Sequence, residues 1–419
     1  MNILIKSATI IDPRSSFNNQ VVDILIEKGV ISKIASSIKN SHKFKELVLD
    51  NLHISQGWFD SSVSFGEPGL EDNETLENGL KTAALSGFTD VGLNAHCSPV
   101  PDSKSHISYL INQTKNNIVN THPYGSLTVK SEGKELAELF DMYTAGASAF
   151  YDYKKAVSNP NLLKIALQYV ASFNGLVFSF PDNKYISGNG VMNEHITSTK
   201  IGLKGIPALS EELSVARDLQ VLEYTGGKLH IPTISTKKSV ELIKRAKQNK
   251  LGVTCSVAIH NLSLSDKELA TFDTNMKVSP PLRTEEDCKS LIKGLKEGVI
   301  DLITSDHKPV NTEFKQIEFD HAENGTIGLE SIFGALNTIF STRESIKFLT
   351  QGKSLFGIDD YPIEVGNKAC LSCFNPDASY DFTNENIFSS SKNAIFLNKE
   401  LKGKVYGIIA NNKLKINYE

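Results

Sequence analysis

Six successive helix–glycine–strand units, a strand ahead of them and β-rich texture at both chain ends predict an α/β fold. The expected architecture is a (β/α)8 TIM-type barrel with a small β-sandwich-like domain formed by both termini. The barrel is expected over roughly residues 56–364, and the small β domain over 1–55 and 365–419. A chain of 419 residues suits one barrel-sized core of about 250–300 residues with a smaller attached domain.

The first elements are "NILIKSATIID" and "VVDILIEKGVISKIA", rich in Ile and Val and broken by turn residues, which read as short strands. "SQGWFDSSVSF" reads as a further strand. "TLENGLKTAALSGFTDVGLNA" then has helical spacing up to Ser86, a glycine at Gly87, and a strand from Phe88 to Leu93. "KELAELFDMYTAGASAFYDY" repeats the plan, with Gly146 before its strand. So do "NLLKIALQYVASFNGLVFSF", "ELSVARDLQVLEYTGGKLHIPTIS", "KSVELIKRAKQNKLGVTCSVA" and "CKSLIKGLKEGVIDLITSDH". With the preceding strand and a closing helical region, the count approaches eight. The intervening "SKSHISYLINQTKNN" reads as a solvated helix face. The C-terminal "NAIFLNKELKGKVYGIIANNKLKIN" reads as short β runs separated by "LKGK" and "ANNK". In such a barrel the chemistry sits at the C-terminal ends of the strands.

Composition narrows the function classes. Net charge is −4 on 44 basic and 48 acidic residues, which gives no electrostatic case for nucleic acid or an anionic membrane surface. No apolar run approaches the roughly 20 residues of a membrane span, and "MNILIKSATIIDP" lacks the apolar core of a signal peptide, so a cytoplasmic protein is expected. The five cysteines are scattered. Only Cys370 and Cys373 form a C-x-x-C, with no second pair or nearby histidines, so reduced thiols are expected there. There is no P-loop or dinucleotide fingerprint.

The segment "GWFDSSVSFGEPGLEDNETLENGLKTAALSGFTDV" resembles the first strand and helix of the dihydroorotases of the amidohydrolase superfamily, whose pattern is G-[FW]-[FI]-D-x-H-x-H-x-R-E-P-G, then E-T, then G-G-[FY]-T. "GIPALSEE", "STKKSV", "VSPPLRT", "TSDHKP" and "GTIGLES" follow in that family's order and spacing. The resemblance runs nearly end to end.

It implies chemistry on one or two divalent metals, usually zinc, which lower the pKa of bound water and polarise the amide carbonyl under attack. Carried over position by position, the two histidines of H-x-H become Ser62 and Ser64, and the substrate-binding arginine becomes Gly66. The third histidine becomes Ser179 in "FSFPD", and the fourth becomes Thr233 in "TIST". The bridging carboxylate matches Asp152 in "AFYDY". The final aspartate, both ligand and proton shuttle in the family, matches Asp306 in "TSDH". Substrate contacts fall on His96, Ser279 and Val310. Hydroxyls are poor zinc ligands, and two carboxylates alone suit magnesium or calcium only with more oxygen donors.

No bound metal or other cofactor is therefore expected, zinc being the family metal if any is bound. Asp306 is read as a vestigial catalytic position. A rebuilt single-metal site would draw on Asp306, Asp152 and one of His96, His230, His260 or His307, which stand near predicted strand ends. More simply, these histidines are packed or hydrogen-bonded. The resemblance implies a non-catalytic dihydroorotase-like protein of pyrimidine biosynthesis that acts as a partner of aspartate carbamoyltransferase, and a homo-oligomer is expected. The alternative is an active dihydroorotase or other cyclic-amide hydrolase with an altered metal site.

Overall fold

A computed structural model describes residues 1–41 and 43–418. Eight parallel strands follow one another around a barrel: Trp58–Val63, Phe88–Leu93, Asn120–Gly125, Ala149–Phe150, Val177–Phe178, Leu229–Ile231, Val253–Ala258 and Leu302–Thr304. The ring closes between first and last, where Val63 bridges His307 and the Ser64 amide donates to the His307 carbonyl at 2.8 Å. The strands are buried on both faces, as a sheet covered outside by helices and filled inside by side chains must be.

The helix–glycine–strand signal has a steric cause. At Gly87 the backbone turns from helix to strand with φ +92°, and a Cβ there would lie 2.5 Å from the Trp58 ring. Helix starts are written locally. Thr75 accepts from the Asn78 amide to begin Leu76–Leu85, and Thr284 with Asp287 forms a capping box for Glu285–Lys296.

One barrel unit departs from the sequence expectation. The "SKSHISYLINQTKNN" segment contains helix Lys104–Thr114, which buries Ile107, Leu110 and Thr114, and it is followed by the third strand. Its inward stripe is only three residues in a polar helix. The strand carries His122 and Pro123 with no glycine before it, so neither period stands out. This unit completes the eight; the helices Ile332–Ile339 and Thr342–Thr350 then follow the last strand.

The β-rich second domain is built on one eight-stranded sheet that joins both chain ends. His53–Gln56 pairs parallel with Asn2–Ile10 and antiparallel with Leu371–Asp381. Near the C-terminus, "LKGK" does not break a strand. Glu400–Ala410 runs through it, with Gly403 and Gly407 at positive φ, and only Asn411 and Asn412 turn the chain into Lys413–Ile416. Cys370 and Cys373 fall three residues apart in extended chain, so their side chains point to opposite faces, and both are free thiols.

Trp58 ties the barrel to this sheet. It stacks on Phe333 at 4.8 Å, tilts against Phe374 at 5.6 Å, and donates from its indole nitrogen to the Ser55 hydroxyl at 2.9 Å.

Candidate functional site at the barrel mouth

All six positions carried over from the metal-site pattern stand at the C-terminal ends of barrel strands. Ser62 is on the first strand and Ser64 just beyond it. Asp152 lies past the fourth, Ser179 past the fifth, Thr233 past the sixth and Asp306 past the eighth. Asp306 and Thr233 both take left-handed backbone, at φ +52° and +48°, as the chain leaves each strand sharply.

The structure brings only some of them together. The Ser62 hydroxyl donates to Asp306 Oδ1 at 3.2 Å, and Asn94 at the end of the second strand donates to both the Ser62 and Ser64 hydroxyls at 3.1 Å. Asp306 Oδ2 accepts from the Lys154 ammonium at 2.5 Å, and the same ammonium donates to the Ser279 carbonyl. Burial pushes the Asp306 carboxyl upward, while the Lys154 charge and the Ser62 hydroxyl pull it back.

The others do not join this cluster. Asp152 accepts from the Ser126 hydroxyl at 2.7 Å, the Thr128 amide at 3.0 Å and the Thr128 hydroxyl, so its oxygens order the loop after the third strand. Ser179 donates to Asp218 at 2.6 Å, and Asp218 is in turn held by Arg217. The Thr233 amide donates to the Ser256 hydroxyl at 3.0 Å, while the buried Thr233 hydroxyl has no hydrogen-bond partner among the described residues.

The four histidines do not converge into a ligand set. His230 bonds to the Thr254 and Ser256 hydroxyls at 2.8 and 3.1 Å and lies 4.4 Å from the Phe178 ring. His307 accepts from the Gly328 and Leu329 amides through Nδ1. His96 packs against Tyr153 at 5.2 Å. His260 is fully buried, with neither ring nitrogen bonded to a protein group among the described residues. Burial pushes each of the four down to about 3, so all are neutral at pH 7.

Zinc does not fit this set. The donors at the six positions are four hydroxyls and two carboxylates, one carboxylate faces away and the other is salt-bridged. Among the described residues no group of three or more His, Cys, Asp or Glu is placed to hold a metal ion. Asn94 and Lys154 also line the mouth, at positions outside the family pattern. Lys154 stands two residues after Asp152, and that was the only signal that could have marked it.

The fold is that of a (β/α)8 barrel enzyme class carrying a β-rich second domain. Solved structures that share it include an L-hydantoinase (dihydropyrimidinase) from Arthrobacter aurescens, with TM-score 0.81 and 20% identity over 98% of this chain and 95% of that one. A D-hydantoinase (dihydropyrimidinase) from Thermus sp. has TM-score 0.82 and 19% identity over 99% and 95%. At such identity the likeness concerns the fold alone.

Sequence comparison is more specific. The "Dihydro-orotase-like" family model matches residues 53–239. The dihydroorotase of Geobacter metallireducens is 35% identical, with 99% of each chain covered, and that of Acetivibrio thermocellus is 34% identical with the same coverage. This chain belongs to the dihydroorotase-like family. Among the described residues, no helix is long and apolar enough to cross a membrane.

Proposed function

We propose that this chain is a non-catalytic dihydroorotase-like protein that serves pyrimidine biosynthesis by assembly, as a homo-oligomer that partners aspartate carbamoyltransferase. The observation that carries this reading is the state of the mouth: four hydroxyls replace the histidine ligands, and each remaining carboxylate is engaged by protein donors. Loss of one ligand commonly costs much of a metal site's affinity, and here four are replaced. The barrel around the mouth is kept whole, as a protein acting through its surface requires.

The competing reading is cyclic-amide turnover at an altered metal site. Its support is the 35% identity to a dihydroorotase along the whole chain. Metal content by plasma mass spectrometry, after purification in zinc-supplemented and chelator-free buffer, separates the two. The expected result is far less than one zinc, manganese or iron per chain, no cyclisation of carbamoyl aspartate, and co-elution with the same organism's aspartate carbamoyltransferase in size-exclusion chromatography. About one tightly held metal per chain with measurable cyclisation overturns the proposal. Failure to co-elute removes the partner.

A further inference from the structure

We propose that the Lys154 ammonium is a tethered replacement for the metal: a cation supplied by the chain itself, which balances Asp306 and bars a divalent ion from the mouth. The inference rests on the metal-free reading of this site and adds the residue responsible for it.

Lys154 follows the fourth strand, in left-handed backbone at φ +52°, a conformation in which a side chain is strained and glycine is at ease. The strained turn aims a long side chain back across the mouth. There the ammonium reaches Asp306 Oδ2 at 2.5 Å and the Ser279 carbonyl, and lies 5.7 Å from the centre of the Tyr153 ring. The side chain is 13% exposed and that of Asp306 is 2% exposed, so the two charges meet away from bulk water.

A buried carboxylate without a counter-charge is costly. With the histidines gone, a metal can no longer be held there to supply that charge. Lys154 supplies it from within the chain. Asp306 Oδ1 faces Ser62, and the ammonium holds the other oxygen, Oδ2, of the same carboxylate. A divalent cation approaching Oδ1 would meet a like charge across one carboxylate that is already paired. Ser62, Ser64 and Asn94 complete the arrangement with neutral hydrogen bonds that need no cation.

The test restores ligands with and without the lysine. Ser62→His with Ser64→His puts two imidazoles on one side of the first strand beside Asp306, enough for a three-ligand site. That double variant is compared with the triple variant adding Lys154→Gly, using Co2+ alone as the probe in equilibrium dialysis and visible absorption. The expected result is at least tenfold tighter Co2+ binding in the triple variant, with the double variant no better than the unmodified protein. Equal binding by both overturns the inference. Stoichiometric metal in the unmodified protein overturns the metal-free reading itself, so the two failures are distinct.

Thermal unfolding gives a second measure that does not depend on engineered histidines. Lys154→Met should lower Tm by several degrees, and adding Asp306→Asn should recover at least half of that loss, because the orphaned charge is gone. Additive losses in the double variant overturn the counter-charge role.

Discussion

Asp60 lies beneath the mouth and shows how one side chain closes the barrel. Its carboxylate accepts from the Ser62 amide at 2.9 Å, the Ser305 amide at 2.8 Å and the Thr304 hydroxyl, so it bonds the first strand to the end of the eighth. Complete burial nevertheless raises it to about 6, against the opposing pull of those hydrogen bonds. The folded value exceeds the unfolded one of about 4, so the folded protein holds an extra proton between about pH 4 and pH 6. The stabilisation from this group is whole below about pH 4 and is lost as pH rises through about 6. Asp60→Asn should therefore flatten the slope of unfolding free energy against pH in that window by up to one proton. Urea titrations at a series of pH values check it, and an unchanged slope would remove Asp60 from the linkage. The fold of this strand was legible in its apolar residues, and its matching positions in Ser62 and Ser64. The closing role of Asp60 was not, because its partners at the end of the eighth strand lie 244 and 245 residues away.

At the scale of the element, the helix Lys237–Gln248 shows a start signal completed from a distance. Thr236 caps it locally, accepting from the Ser239 amide. Glu211, from helix Ala208–Thr225, accepts from the Ser235 amide at 2.9 Å, the Thr236 amide at 3.1 Å and the Ser239 hydroxyl at 2.7 Å, and also from the Ser235 hydroxyl. Arg283 donates to the same Ser235 hydroxyl at 3.1 Å, so a buried carboxylate and a buried guanidinium share one cluster. Glu211→Ala leaves amides and a charge without their partner and should cost about 2–4 kcal/mol in urea unfolding. Glu211→Gln keeps an acceptor and should cost less than half as much. Equal losses would show that volume, not hydrogen bonding, is what Glu211 contributes. The periodicity of this helix and its Thr cap could be read directly, but the Glu211 cap could not, since it depends on how two helices lie side by side.

For the molecule as a whole, the junction between barrel and terminal sheet sits on Trp58. Its ring meets Phe88, Phe333 and Phe374, and its backbone amide donates to the Ser372 hydroxyl, which donates in turn to the Gly87 carbonyl. Trp58→Ala should cost about 3–5 kcal/mol. Trp58 is also the chain's single tryptophan, so its fluorescence reports this junction. In the unmodified protein, fluorescence and circular dichroism should give coincident urea transitions, as one cooperative unit requires. A fluorescence change that precedes the loss of secondary structure would show the sheet parting from the barrel first.

The sequence by itself determined the barrel, the β-rich ends and the hydroxyls at the histidine positions. Strand and helix periods are local, and positions at strand ends inherit their place from the fold. Only the tertiary structure decided what those positions do. It turned Asp152 toward the 126–128 loop, gave Ser179 to Asp218, and set the Lys154 ammonium against Asp306 across 152 residues of chain. Such pairings depend on which strand ends face one another once the barrel closes, and no local pattern encodes that.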